Sequence, residues 1–460
     1  MLGILISLIL LMYLAYRGVS VILLAPCLAI LAVVLNDGGP ILGTYTQIFL
    51  PALGAYLVKF FPLFLLGAVF GKVMQDTGSA GVIADGIITR LGADRAAMAV
   101  VGACAVLTYG GVSLFVVAFA VYPVAAAMFV QAGLPKRFIP AAIALGAFTF
   151  TMTALPGSPQ IQNAIPAPYF GTDSFAAPVS GVIAAVIIAA FGLWWLQNRL
   201  TKATARGAGY GETDEFSAGA GARNSAADDA PSLWAALLPI AIVIGVNLAV
   251  ARFVLPMIDT SYLAEQAYGE ASLDDVRGIW SLIVGLAMAI VTTIVLNIKR
   301  LVDVNATLKE GVSASFLPIF NTSSEVGYGT VIASLAAFVV LRDAVVNIAP
   351  GNPLVSEAIA VNILAGVTGS ASGGMSIALE ALGARYLEMA QANGISPELL
   401  HRVAALASGG FDVLPHNGAV ITLLAITGLT HEKSYFDIFM VAVVGPLMGL
   451  GAVLIIASVL

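Results

Sequence analysis

The chain has 460 residues, 60% of them hydrophobic and 10% charged, with a mean hydropathy of +0.98. Ordinary soluble domains carry about 25% charged residues, so a soluble enzyme and a disordered chain are both excluded, and the formal charge of −6 leaves no basic footprint for nucleic acid. The expected class is an all-α polytopic membrane protein, and its 47 glycines and 21 prolines point to helices broken inside the bilayer.

Residues 1–16 read as a first transmembrane helix, because the run has neither a basic start nor a small-residue cleavage site. Further spans of roughly 20 apolar residues are predicted over 19–35, 52–72, 137–170, 177–197, 233–256, 278–298, 311–340, 402–430 and 437–458. Two apolar stretches, 96–131 and 358–390, are too long for one span and are interrupted by glycine-rich polar sequence. Each is predicted to enter halfway and return as a re-entrant hairpin. The polar stretch 197–231 reads as a cytoplasmic linker, which divides the chain into 1–197, 198–232 and 233–460. The acidic segment 259–277 reads as a solvated loop. With both termini outside, fourteen of the 20 Lys and Arg fall on the cytoplasmic side and five outside, with Lys59 inside a span; that excess sets the orientation. Cys27 and Cys104 lie in apolar runs, so neither a disulfide, a metal site nor a cofactor is expected.

The two halves share an ordered set of words. Phe61-Pro62-Leu63-Phe64 recurs as Leu317-Pro318-Ile319-Phe320, and Gly81-Val82-Ile83-Ala84 as Thr330-Val331-Ile332-Ala333. Gly110-Gly111-Val112-Ser113 recurs as Gly373-Gly374-Met375-Ser376, and Leu155-Pro156-Gly157-Ser158 as Leu414-Pro415-His416-Asn417. Each half then holds five spans and one hairpin. Five is odd, so the second half enters with opposite polarity. Inverted repeats with discontinuous helices are the architecture of secondary transporters, whose ligands bind near mid-membrane at the repeat interface. Repeats could also build a channel, but two opposed hairpins with two broken helices favour alternating access.

Four irregular segments are candidates for the site: the tips near Thr108–Ser113 and Thr368–Ser376, and the breaks at Pro156–Asn163 and Asp412–Gly418. Proline removes a helical donor and glycine permits a left-handed turn. The new helix N-termini would together favour an anion. All 13 arginines are expected at span ends or loops, so no guanidinium clamp on the substrate is expected. From the first half, the candidate ligands are Ser113, Gly157, Ser158, Gln160, Gln162 and Asn163. From the second they are Ser372, Gly373, Ser376, His416 and Asn417. Their neutral donors suit carboxylate and hydroxyl oxygens, although such groups also satisfy one another and the broken backbone. Ionisable residues inside a membrane are costly and mark function, which singles out Glu325, Asp412 and His416 as proton-coupling candidates. His401 and His431 are expected at the interface, Lys59 either snorkels or attracts an anion, and Glu380 is a weaker candidate.

The run Gly71-Lys72-Val73-Met74-Gln75-Asp76-Thr77-Gly78-Ser79-Ala80, followed by Ile83-Ala84 and Leu91-Gly92, resembles the gluconate permease family of the ion transporter superfamily. The resemblance implies a bacterial inner-membrane symporter of small hydroxy-monocarboxylates, driven by protons. It also implies a homodimer of scaffold and moving transport domains. Gluconate-transporting members carry a Pro-His-Pro-Gly-Pro-like run at the first break, where this chain has Leu155-Pro156-Gly157-Ser158-Pro159-Gln160. The second break, Leu414-Pro415-His416-Asn417-Gly418-Ala419-Val420, is more similar to the D-β-hydroxybutyrate permease-like branch. A short acid such as D-3-hydroxybutyrate is the substrate so implied. Open alternatives are a sugar acid, sodium coupling at hydroxyls such as Ser113 and Ser376, and an intramembrane enzyme. An enzyme would need a nucleophile paired with a base, and no nucleophile-elbow spacing is present.

Overall fold

The computed structural model describes residues 2–459 apart from 18, 37–38, 93–94, 113, 212–229, 339–348, 350, 369 and 416. The described residues are mostly helical, with no strand among them. Five helices among them are long and apolar enough to cross a membrane: Ile41–Asp76, Pro178–Ala205, Leu233–Met257, Leu273–Asn297 and His431–Ser458.

One packed group contains α1 (Leu2–Tyr16), α2 (Val21–Asn36) and α3 (Ile41–Asp76). With them lie α12 (Leu233–Met257), α13 (Leu273–Asn297) and α14 (Val304–Ser334). Helices α3 and α14 run against each other along their length. A Cβ on Gly311 would sit 2.8 Å from Val69 Cα, so the missing side chain is what lets the two backbones approach. The Pro62 and Pro318 words lie side by side, with Phe61 stacked on Phe316 at 6.5 Å. Both helices outrun their apolar stretches, which cover 52–72 and 311–340. Lys72 Nζ pairs with Asp76 at 2.9 Å and Glu310 at 2.6 Å, while Thr307 donates to Asp76 at 2.7 Å. These bonds carry the helices past the apolar boundary. Between the predicted span and the first hairpin, a stretch assigned no element, residues after the Gly78 turn (φ +73°) form α4 (Ser79–Leu91), packed on the first hairpin and α12.

The first hairpin pairs α5 (Ala96–Tyr109) with α6 (Leu114–Gln131), and the second pairs α15 (Pro353–Thr368) with α16 (Ala371–Ala392). In the second, a Cβ on Gly374 would overlap the Ala365 backbone, so glycine alone lets the arms meet there. The first broken helix starts as α7 (Ile139–Ala147) and resumes only as short turns, α8 (Phe150–Thr153), α9 (Ile161–Ala164) and α10 (Ala167–Phe170). Pro159, Pro166 and Pro168 remove the donors a longer helix needs. The second is cleaner: α17 (Pro397–Ser408), a break, then α18 (Gly418–Thr427). Helix α11 (Pro178–Ala205) continues beyond residue 197 because Trp195 Nε1 and Arg199 Nε both donate to Asp437 at 3.0 Å, on α19 (His431–Ser458).

The hairpins, the broken helices, α11 and α19 pack mainly on one another, forming a second group. It meets the first where α14 lies on α16, α10 on α13 and α1 on α15.

Candidate functional site

At the first break the chain turns at Gly157 (φ +79°), where a side chain would overlap the Phe175 ring. Its polar residues are committed to backbone. Ser158 Oγ donates to Thr151 O at 2.7 Å, and Gln160 Nε2 to Thr108 O at 2.8 Å. Asn163 Nδ2 donates to Ser158 O at 2.9 Å and to Ser174 O at 2.8 Å. Tyr109 OH closes the tip onto the break through Pro156 O at 2.7 Å. Of the candidates here, only Gln162 keeps a buried side-chain oxygen, Oε1, without a partner among the described residues.

Two expectations are overturned at this break. Arg402 does not lie at an outer span end, since α17 begins at Pro397 behind the Ser396 cap and carries Arg402 into the interior, 0% exposed. Its Nε donates to Ala176 O at 3.1 Å, Nη1 to Asn163 Oδ1 at 3.0 Å and Thr153 O at 3.3 Å, and Nη2 to Ala176 O at 2.7 Å and Ser174 O at 3.4 Å. A guanidinium has five N–H donors, and all are spent on neutral oxygens. It fixes the break and leaves a positive charge beside it, without being a clamp. His401 is also interior, not interfacial: Nδ1 lies 2.7 Å from Thr172 Oγ1. Both were legible in Ser396-Pro397-Glu398, where cap, proline at the first position and an acidic first turn mark a helix start.

The second half differs. Ser370 caps α16 by accepting from Gly373 N at 3.1 Å. Glu325, 3% exposed on α14, reaches Ser370 through a side-chain hydrogen bond, yet its Oε2 has no partner among the described residues. That oxygen lies against Gly373, where any Cβ would overlap it. Ser372 Oγ is 3.4 Å from both Thr322 and Ser370. Ser376 Oγ, Tyr56 OH and Asn321 Oδ1 are buried without partners among the described residues, with Tyr56 beside Ser376 and Glu325. Tyr56 was not singled out in the sequence, because a tyrosine in an apolar span carries no signal of its own.

At the second break Asp412 is 6% exposed and its Oδ1 lacks a partner among the described residues. Asn417 Oδ1 caps α18, accepting from Ala419 N at 2.7 Å and Val420 N at 3.1 Å. His431 Nε2 lies 2.9 Å from Pro415 O, and Tyr435 OH donates to Val413 O at 3.1 Å, so α19 braces the break. The second hairpin runs beside it: a Cβ on Gly366 would sit 2.8 Å from Phe411 Cβ. The two breaks meet where a Cβ on Gly409 would sit 3.0 Å from Thr153. Ser113 and His416 lie outside the described residues. Lys59 Nζ stands 4.9 Å over the Tyr169 ring, and Tyr169 OH donates to Glu380 Oε2 at 2.9 Å.

The chain therefore has one half-site closed by its own bonds and one that gathers Glu325, Ser372, Gly373 and Ser376 between α14 and α16. Asp412 and Asn417 stand at the neighbouring break.

No model of a protein family matches the chain. It is 46% identical over 450 residues to the uncharacterized transporter YxjC of Bacillus subtilis (strain 168), covering 96% of this chain and 95% of that one. Among solved structures, MtrF of Neisseria gonorrhoeae, described within a class of antimetabolite efflux pumps, aligns with a TM-score of 0.56 at 14% identity, over 93% of this chain and 85% of that one. The YdaH transporter of Alcanivorax borkumensis aligns with a TM-score of 0.49 at 17% identity, over 90% and 88%.

Proposed function

The chain belongs to the transporter family of YxjC, and from that premise we propose that it is a proton-coupled symporter of a short hydroxy-monocarboxylate such as D-3-hydroxybutyrate. The observation that carries the proposal is Glu325: a buried carboxyl with an unpartnered oxygen, pressed against the capped start of a hairpin arm. A proton there would offset the substrate's charge in a low-dielectric site. Asp412 supports the same reading from the neighbouring break. The substrate's anion would be favoured by the N-termini of α16 and α18 and by the buried charge of Arg402. Neutral oxygens around Ser372 and Ser376 suit a hydroxyl.

Membership of the gluconate permease family, the inverted relation of the halves, a moving second group on a fixed first group, a homodimer and a bacterial inner-membrane location are parts of this proposal. The ordered words of the two halves and the Gly71–Ala80 run support them. A second reading places sodium at the same cluster, favoured by the neutral oxygens of Thr322, Ser370, Ser372 and Ser376 around Glu325.

Counterflow in liposomes tests the substrate. Vesicles loaded with unlabelled D-3-hydroxybutyrate should take up the labelled acid transiently, with gluconate a weak replacement inside. Equal counterflow with gluconate would return the chain to sugar acids, and none with either would refute the substrate class.

A further inference from the structure

We infer that Glu357 is a second proton-binding site of the carrier, with the Tyr386 hydroxyl as its polar neighbour, apart from the cluster at the hairpin tip. Glu357 lies in the second turn of α15, twelve residues before position 369. At 1.5 Å per residue that is about 18 Å along the helix from the tip. It is 0% exposed, and neither carboxyl oxygen has a hydrogen-bond partner among the described residues. Tyr386, on the α16 arm packed against α15 and within electrostatic reach of Glu357, is also 0% exposed with an unpartnered hydroxyl.

No counter-charge is at hand among the described residues. Helix α15 packs on α16, α17, α1 and α19. On α16, Glu380 accepts from Tyr169, and Arg385 pairs with Glu388 at 2.6 Å. On α17, Glu398 accepts from Ala177 N at 3.0 Å, while His401 and Arg402 bond to the first broken helix and the segment that follows it. The one titratable group on α1 with a described side chain, Tyr13, is 54% exposed, and the part of α19 beyond Gly445 has no charged residue. An ionised carboxylate enclosed this way would be uncompensated, a state buried groups avoid by taking a proton. A metal cation needs a shell of several oxygens, and the carboxyl with one phenol is a poor start. The step is the addition of one proton from water to a carboxylate oxygen, with no other bond changed.

Because α15 is an arm of the hairpin, this proton travels with it. That role rests on the transporter proposal, whereas the presence of the proton does not. Infrared spectra of the full chain in sodium-free lipid test the presence directly. The spectrum of the parent minus that of E357Q should show the carbonyl band of an un-ionised acid, retained in E325Q and D412N and shifted in Y386F. Carboxylate bands in its place, or a band abolished by adding sodium, would overturn the site. If E357Q does not fold, Y386F decides, and an unshifted acid band would overturn it. In uptake, E357Q should lower the number of protons moved per substrate. An unchanged ratio would overturn the carrier role even with the acid band assigned.

Discussion

Gly373 and Glu325 are packed so closely that a Cβ on the glycine would overlap Glu325 Oε2. The contact joins a helix of one packed group to a hairpin arm of the other. Under the proposed function, a carboxyl at this boundary would sense whether the arm is in place. Overpacking costs about 1–3 kcal/mol and each ~1.4 kcal/mol is tenfold in rate, so Gly373→Ala should reduce uptake about tenfold or more, with little change in expression. Uptake equal to the parent's would remove the contact from the mechanism.

Replacing Glu325 with Gln keeps shape and deletes the exchangeable proton. Glu325→Gln is expected to retain substrate exchange across the membrane while losing accumulation against a gradient. Asp412→Asn should do the same if both carboxyls serve coupling. Comparing exchange with accumulation in one liposome preparation separates these outcomes, and accumulation by both variants would contradict the coupling assignment.

Arg402 offers a prediction about stability. Arg402→Ala leaves the oxygens of Thr153, Asn163, Ser174 and Ala176 short of a buried charged donor. An unsatisfied buried acceptor costs about 1–3 kcal/mol, so a loss of at least that size is expected. Arg402→Lys cannot reproduce five N–H donors and should recover only part of the loss. Thermal unfolding in detergent would show the order parent, Lys, Ala; a Lys variant as stable as the parent would refute the fork.

Asn417 caps α18 with a single oxygen that accepts two backbone N–H groups. Asn417→Ala should cost about 1 kcal/mol, and Asn417→Asp should preserve the cap. If both variants melt with the parent, the cap does not hold the break.

The hairpins and the two breaks were legible because glycine and proline punctuate apolar runs that are otherwise uniform. What escaped lay at helix starts. Arg402 was placed at the outer end of a span and Glu357 drew no attention, because the apolar runs begin at 402 and 358, whereas the helices begin at Pro397 and Pro353. Hydropathy marks where a helix becomes apolar; capping residues such as Ser396 and Asn352 mark where it begins, the latter accepting from Val355 N at 3.3 Å. The commitment of Ser158, Gln160 and Asn163 to backbone could not be read in advance. Residue type gives the number of donors but not where they are spent. Helix α4 was missed because its 13 residues are amphipathic and too short to register as a span.

The most direct test of the account is uptake of labelled D-3-hydroxybutyrate by purified protein in liposomes. It is run once with an inward proton gradient and no sodium, and once with a sodium gradient at equal pH. Accumulation is expected in the first condition and is lost in Glu325→Gln. Accumulation only with sodium would contradict proton coupling and assign the oxygens around Glu325 to a sodium ion.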